Sequence, residues 1–151
     1  MPKEENIKEK LITKFSFLDG KINIARARRI FVEVDYAKFL DVFVYLKGDL
    51  GFGHLCTITG LDEGENLSAI YHLANAEGIL VNLKISVLKE NPVIKTVMNH
   101  FLGAQIYERE LIDLLGFKVE GLPEGNRYPL TDDWPKGEYP LRKDWKVSQH
   151  A

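Results

Sequence analysis

Two glutamates in the segment 107–116 (YERELIDLLG) are the residues whose type and spacing could do chemistry. On a helix, Glu108 and Glu110 project at the edges of an apolar surface, where an unpaired carboxylate is costly. Such a carboxylate either shifts its pKa or takes a cationic partner. The glutamates could therefore form an acid/base pair, or they could be structural acceptors for arginines such as Arg127 and Arg142.

No other reactive side chain completes a catalytic or metal-binding pattern. Cys56 is the single cysteine, and none of the four histidines has a partner at the spacing of a metal-ligand motif. The glycines of segment 48–53 (GDLGFG) match neither a dinucleotide-binding nor a P-loop motif. The structural role is therefore favoured for the glutamates, and the sequence predicts no catalytic residue, metal or iron–sulfur cluster in this chain.

The same segment is predicted to be a helix over residues 103–115. Gly116 stands where a helix commonly ends on a glycine. Arg109 and Asp113 are four residues apart on the polar side of this helix, a spacing at which they can pair with each other.

Composition places the chain among ordinary globular proteins. It has 151 residues, of which 45% are hydrophobic and 28% charged, and its net charge is −2. This balance argues against a nucleic-acid-binding protein and against a polybasic membrane anchor. Because the sequence shows neither an eighteen-residue apolar run nor an N-terminal signal core, a cytoplasmic location is expected, with membrane association only through a partner.

Apolar periodicity predicts an α+β core domain over residues 1–116. An amphipathic helix comes first, then two strands with a bend at a cluster of arginines, a second helix and three strands arranged as a meander. A helical stretch beginning at Asn91 and Pro92 follows and includes the 103–115 helix. The segments are the helix 4–18, the strands within 21–34 around Arg26, Arg28 and Arg29, the helix 35–47, and the strands 53–59, 67–74 and 79–88.

Residues 117–151 differ in character from this core. They contain four of the six prolines and both tryptophans, without usable periodicity. A disordered tail would be poor in aromatic residues. We therefore expect an extended arm whose Trp134, Tyr139 and Trp145 are buried against the chain's own core or another subunit.

Several of these residues together resemble a family signature. ERELIDLLG at 108–116, Arg127, the Asp133–Trp134 pair and YPLRKD at 139–144 are similar to the signature of the 30-kDa-subunit family of respiratory complex I. This family includes the homologous subunit of energy-converting membrane-bound nickel–iron hydrogenases. The similarity extends over about residues 21–145 and also includes FGHLCTITGLD at 52–62.

The resemblance implies a cofactor-free subunit of the peripheral arm of a membrane oxidoreductase. The family fold is a two-layer α+β sandwich in the order helix, two strands, helix, three strands and helix, followed by an extended C-terminal strap. Such a subunit packs on a large subunit that houses a quinone or nickel–iron site, and near a small iron–sulfur subunit. It would lie on the inner face of the membrane and would not be an enzyme by itself.

Within this family, the short chain and the sequence of residues 132–145 favour the hydrogenase branch. The alternative is the 30-kDa subunit of NADH:quinone oxidoreductase. A free-standing acid/base enzyme that uses Glu108 and Glu110, and a generic adaptor protein, are the remaining hypotheses.

The resemblance also assigns partner contact, and no catalysis, to the signature helix and the strap. The residues expected to contact partner subunits are Glu108, Arg109, Glu110, Asp113, Gly116, Arg127, Trp134, Pro140, Leu141, Arg142, Lys143 and Asp144.

Overall fold

The computed structural model describes residues 2–147, which form three α-helices, one 3₁₀ turn and seven strands. The longest helix has 13 residues, and no helix within the described range is both long and apolar enough to cross a membrane. The helices are α1 (Lys3–Lys14), α2 (Tyr36–Gly48) and α3 (Ala104–Leu115), with the 3₁₀ turn at Ser16–Leu18. The strands are β1 (Ile22–Arg26), β2 (Arg29–Glu33), β3 (His54–Asp62), β4 (Asn66–Ala74), β5 (Leu80–Leu88), β6 (Val93–Lys95) and β7 (Lys118–Glu120).

The predicted order of helices and strands is confirmed, including the bend at the arginines. β1 and β2 pair antiparallel from Ile22 opposite Val32 to Arg26 opposite Arg29. Arg28 sits in the tight connection with a φ of 60°, and its backbone N–H donates to the Glu4 carboxylate at 2.6 Å. A left-handed residue at this point lets the chain reverse within two residues.

Five strands form one sheet in the order β1-β2-β5-β4-β3. β3, β4 and β5 are neighbours in chain order, as the predicted meander requires. The pairing of β2 with β5 is parallel and was not predicted, because α2 and two strands separate these segments in the sequence. Parallel strands need such a crossover, and local patterns do not reveal it.

α2 covers one face of the sheet with an aromatic cluster. Its buried residues Phe39, Val42, Phe43 and Leu46 recur at the spacing of one helical stripe. The rings of Phe39 and Phe43 lie 4.6 and 5.7 Å from the ring of Tyr71 in β4, measured between centroids. The cluster shows that the helix and sheet layers are joined by side-chain interdigitation, as in a two-layer fold.

The prediction of a helical stretch from Asn91 and Pro92 is wrong for its first part. Val93–Lys95 forms β6, which pairs in parallel with β7 inside the predicted arm. Val93 and Ile94 are β-branched and favour a strand. Burial of the Ile94 side chain stabilises this strand. Helix α3 begins only at Ala104.

The chain forms two compact units, and strands β3, β4 and β5 contribute residues to both. The boundaries expected from the sequence were residues 1–116 for a core and 117–151 for an arm. The first unit consists of Met1–Ile58 and Ala69–Ser86, and the second of Thr59–Ser68 and Val87–Ala151. The last four residues of the expected arm lie outside the described residues.

We expect Phe43→Ala to lower the free energy of unfolding by about 3–5 kcal/mol, because it removes a fully buried ring from the aromatic cluster. Urea unfolding would measure the loss. Val44→Ala, one residue further along the same helix at a position that is 42% exposed, is the control and should cost less than about 1 kcal/mol. Equal losses for the two variants would contradict this description of the core.

Candidate functional site

Helix α3 packs closely against Gly60 in β3. The buried residues of the helix include Leu111 and Leu115. A Cβ atom at Gly60 would stand 2.3 Å from Leu115 Cδ1 and 2.7 Å from Leu111 Cδ2, so a larger residue there would force the helix away. Gly60 was not singled out from the sequence, although a glycine inside a strand often marks a close approach of another element.

Glu108 points inward from α3 and is fully buried. Its carboxylate accepts hydrogen bonds from the Thr96 hydroxyl at 2.6 Å and from the backbone N–H of Val97 at 2.7 Å. Burial raises the pKa of Glu108, and these two hydrogen bonds offset part of that rise. Glu108 therefore fixes α3 to the segment after β6, and its donors are not the arginines that the sequence suggested.

Glu110 points away from Glu108 and has a different environment. Residues two apart on a helix do not face each other, so the two carboxylates do not form an acid/base pair. Glu110 is half-buried, and its side chain has no hydrogen bond or ion pair within residues 2–147. The described residues also bring no three histidine, cysteine, aspartate or glutamate side chains together that could hold a metal.

Asp113 holds the first part of the arm against α3. Its buried carboxylate accepts from Arg127 Nε at 2.6 Å and from the backbone N–H of Leu130 at 2.7 Å. Arg127 also donates through Nη1 to the carbonyl of Trp134 at 2.7 Å. One ion pair therefore orders the arm over residues 127–134, because a buried carboxylate needs these donors.

Arg109 and Asp113 do not pair with each other, although their spacing would allow it. Arg109 instead donates through Nη2 to the carbonyl of Pro123 at 2.8 Å. Its guanidinium lies against Gly125, where a Cβ atom would come within 2.8 Å of it. An ion pair between residues four apart on a helix surface contributes little to stability. Arg127, which is part-buried, donates to two acceptors at once, the Asp113 carboxylate and the carbonyl of Trp134.

Gly116 ends α3 and leaves room for the second part of the arm. Its φ of 77° is left-handed, and a Cβ there would stand 2.5 Å from Tyr139 Cε2 and 2.8 Å from Arg142 Nη2. Arg142 donates through Nε to the carbonyl of Leu115 at 2.7 Å, and its guanidinium lies 4.7 Å from the centre of the Tyr139 ring. Arg142 thus satisfies a carbonyl at the helix end, where a cation is favoured.

Asp62, at the end of β3, anchors the part of the arm that follows Arg142. Its carboxylate, 1% exposed, accepts from the backbone N–H groups of Gly64 at 2.9 Å and Lys143 at 2.8 Å. It also accepts from Lys89 Nζ at 2.8 Å, and Lys89 contacts Asp144 at 3.1 Å. Neither Asp62 nor Lys89 was expected at the site from the sequence. The D-x-G pattern, which indicates a local side-chain-to-backbone bond, is the signal that could have found Asp62.

These donors change the acidity of Asp62. Burial alone raises its pKa, but the hydrogen bonds from Lys89, Gly64 and Lys143 outweigh burial and lower the pKa from 3.8 to about 2. The ionised form is therefore the one that the folded strap requires.

The aromatic residues of the arm pack within the second unit. The rings of Trp134 and Trp145 lie 5.8 Å apart between centroids. Trp134 Nε1 donates to the carbonyl of Glu138 at 2.9 Å, and Trp145 Nε1 donates to the Glu138 carboxylate at 3.2 Å. Both tryptophans are half-buried.

A cavity of about 240 Å³ lies beside Asp113. It is lined by Arg109, Ile112, Asp113 and residues 125–128, and neither Glu108 nor Glu110 lines it. Of the residues expected at partner contacts, Glu108 and Asp113 are buried and serve the chain's own fold. Glu110, Pro140 and Arg142 are half-buried, and Leu141, Lys143 and Asp144 are exposed.

We expect Arg127→Met to loosen the arm, because it leaves the buried Asp113 carboxylate with one donor and costs about 2 kcal/mol. Chymotrypsin should then cleave at the arm aromatics at least about tenfold faster. Lys136→Met, which changes an exposed arm lysine without a side-chain partner among the described residues, is the control and should leave the rate unchanged. Unchanged protease resistance in Arg127→Met would count against this role for the ion pair.

Acid should remove the stabilising effect of Asp62. Because its folded-state pKa is lowered, its contribution is fully present above pH 3.8 and is lost as the pH falls towards 2. The difference in urea midpoint between the wild type and Asp62→Asn should therefore be constant above about pH 5 and shrink between pH 4 and pH 2. Asp132→Asn, an exposed arm position, is the control and should give a difference near zero throughout. A difference that stays constant down to pH 2 would contradict the assignment.

Comparison with known proteins identifies the family. Residues 32–151 match the protein family described as "Respiratory-chain NADH dehydrogenase, 30 Kd subunit". The chain is 36% identical to a subunit of the F(420)H(2) dehydrogenase of Methanosarcina mazei over 91% of this chain and 89% of that protein. It is 26% identical to membrane-bound hydrogenase subunit beta of Pyrococcus furiosus over 97% of this chain and 88% of that protein.

A solved structure agrees with this assignment. The chain superposes with a TM-score of 0.84 on a chain of the membrane-bound sulfane sulfur reductase (MBS), described as an archaeal respiratory membrane complex. The two chains are 27% identical, and the match covers 96% of this chain and 86% of that one. The α+β order, the signature helix α3 and the matched 120-residue region lead to one conclusion. The chain belongs to the family of the 30-kDa subunit of respiratory-chain NADH dehydrogenase.

Proposed function

We propose that this protein is an accessory subunit in the peripheral arm of a membrane-associated oxidoreductase related to complex I. In this role it holds a large catalytic subunit and a small iron–sulfur subunit together and carries out no bond-making step itself. The relatives support the proposal because their names describe single subunits of a dehydrogenase and of a membrane-bound hydrogenase.

The observation that carries this proposal is the use of the signature charges inside the chain. Asp113 accepts from Arg127 and Leu130, and Arg142 donates to the carbonyl at the end of α3. Groups that are saturated by the chain's own arm are not available to bind or protonate a substrate. They instead give the strap a defined shape, and a preformed surface reduces the entropy lost when subunits associate.

Two candidates for the type of oxidoreductase are each favoured by one observation. A membrane-bound hydrogenase is favoured by the alignment of 97% of this chain with a hydrogenase subunit. A dehydrogenase of the complex I type, such as NADH:quinone oxidoreductase, is favoured by the 36% identity to a dehydrogenase subunit. In either case, the iron–sulfur clusters and the nickel–iron or quinone site belong to the neighbouring subunits, and this chain binds no cofactor.

The proposed location follows from the proposed partners. The subunit sits on the cytoplasmic face of the cell membrane and is held there by the complex. It makes no membrane contact of its own in this proposal.

Co-purification tests the proposal directly. A tagged chain expressed in its native host is recovered from solubilised membranes, and its companions are identified by mass spectrometry. We expect a large oxidoreductase subunit and a small iron–sulfur protein in constant ratio to the chain. A large subunit with two CxxC pairs would indicate a hydrogenase, and a homologue without them would indicate a dehydrogenase.

Two results would contradict the proposal. One is recovery of the chain alone from membranes that contain an active oxidoreductase. The other is substrate turnover by the isolated chain that Glu108→Gln or Glu110→Gln abolishes while assembly of the complex continues. The latter result would restore the acid/base hypothesis.

A further inference from the structure

The outward side of α3 carries a line of residues of which two are exposed and two are half-buried. Leu102, Ile106, Glu110 and Leu114 follow one another at intervals of four, so they lie along one side of the helix and the turn before it. Leu102 is 70% and Ile106 45% exposed. Monomeric proteins seldom leave large aliphatic side chains in a continuous row on their surface.

The strap extends this line at its C-terminal end. The backbone N–H of Leu141 donates to the carbonyl of Leu114 at 3.0 Å, and the Leu141 side chain is 54% exposed. We call the five residues Leu102, Ile106, Glu110, Leu114 and Leu141 the outer stripe. Asp62 and Arg142 fix the residues around Leu141, so the stripe exists before any partner arrives.

Glu110 is the charged residue of the outer stripe, and it restricts which kinds of partner the stripe can bind. Its carboxylate lies between Ile106 and Leu114 and has no hydrogen bond or ion pair within the described part of the chain. A partner that covered the stripe with apolar groups alone would bury this charge without compensation. A lysine or arginine set among apolar side chains would both cover the aliphatic residues and neutralise the carboxylate.

We propose that the outer stripe is the docking surface for a segment of a neighbouring subunit that places a lysine or arginine on Glu110 between aliphatic side chains. The proposal rests on the proposed function, since it names the surface through which the subunit joins its complex. Leu102 and Ile106 contact one end of the segment, and Leu114 and Leu141 contact the other.

Other occupants of the stripe conflict with the same carboxylate. A second copy of the chain in a two-fold dimer would bring two Glu110 carboxylates towards each other across the stripe, which is repulsive. A lipid surface would require burial of an unpaired acidic side chain in hydrocarbon. A basic protein segment avoids both costs.

Two variants test the proposal in the complete complex. Glu110→Lys reverses the charge, and Ile106→Asp places a second acid in the stripe. Neither side chain is buried in the core, so both variants should keep the thermal unfolding profile of the wild-type chain. When the tagged variants are recovered from solubilised native membranes, we expect each to reduce recovery of the large subunit at least about tenfold.

Glu9→Lys is the matched control. It makes the same charge reversal at an exposed helical position, on α1, where no side-chain partner is present among the described residues. Its recovery of the large subunit should equal that of the wild type. A carbodiimide, which joins a carboxylate to a lysine in direct contact, should link Glu110 to the partner when the basic residue is lysine. Glu110→Gln should abolish this cross-link.

The outcomes separate this inference from the proposed function. If the wild type recovers no large subunit, the proposed function fails. If the wild type assembles and both stripe variants assemble equally well, only the stripe assignment is overturned. A purified chain that forms dimers, and becomes monomeric in Ile106→Asp, would also overturn it by assigning the stripe to a second copy.

Discussion

The order of the arm over residues 127–134 depends on the need of one buried carboxylate for donors. Asp113 projects from a helix whose own backbone offers no free N–H at that point, so the donors come from Arg127 and Leu130. The arm contains little regular structure that could stabilise it through backbone pairing, apart from the short β7. Charge-assisted hydrogen bonds therefore stabilise the arm in place of a hydrophobic core, and each is stronger than a neutral one.

The three acidic residues of α3 lie in three different environments. Glu108 faces the interior and fixes the segment after β6, Asp113 faces the arm, and Glu110 faces outwards. Glu110 lies roughly 200° around the helix from Glu108, whereas Asp113 lies only roughly 60° from Glu110, so Glu108 faces a different side of the helix from the other two acids. The acidic signature of this segment therefore marks a junction between elements of the chain.

The sequence predicts the elements better than it predicts their partners. Apolar periodicity was sufficient to predict α2, α3 and the five strands of the sheet. Each of these elements buries one face, so its apolar residues recur at the period of a helix or of a strand. It could not indicate that β2 pairs with β5, or that Val93–Lys95 is a strand, since both depend on distant segments. At the site, the presence of arginine–carboxylate contacts between arm and helix was predictable from charge and burial.

Which arginine meets which acid was not predictable in the same way. Spacing on the helix favoured Arg109 for Asp113, whereas tertiary structure brings Arg127 to it and sends Arg109 to the carbonyl of Pro123. Asp62 and Lys89 escaped notice because a turn aspartate and a surface lysine are common, and only the folded chain brings them to Lys143.

The parallel pairing of β2 with β5 also constrains how the nascent polypeptide acquires its shape. Arg29 pairs with Leu80, so the β1–β2 hairpin leaves the ribosome well before the strand that completes its sheet. Until β5 is synthesised, one edge of the hairpin offers unpaired backbone groups to any other extended chain nearby. A sheet closed by so distant a strand folds more slowly than one built from hairpins alone. During synthesis, the interval between these two strands is therefore the period in which this polypeptide is most exposed to aggregation.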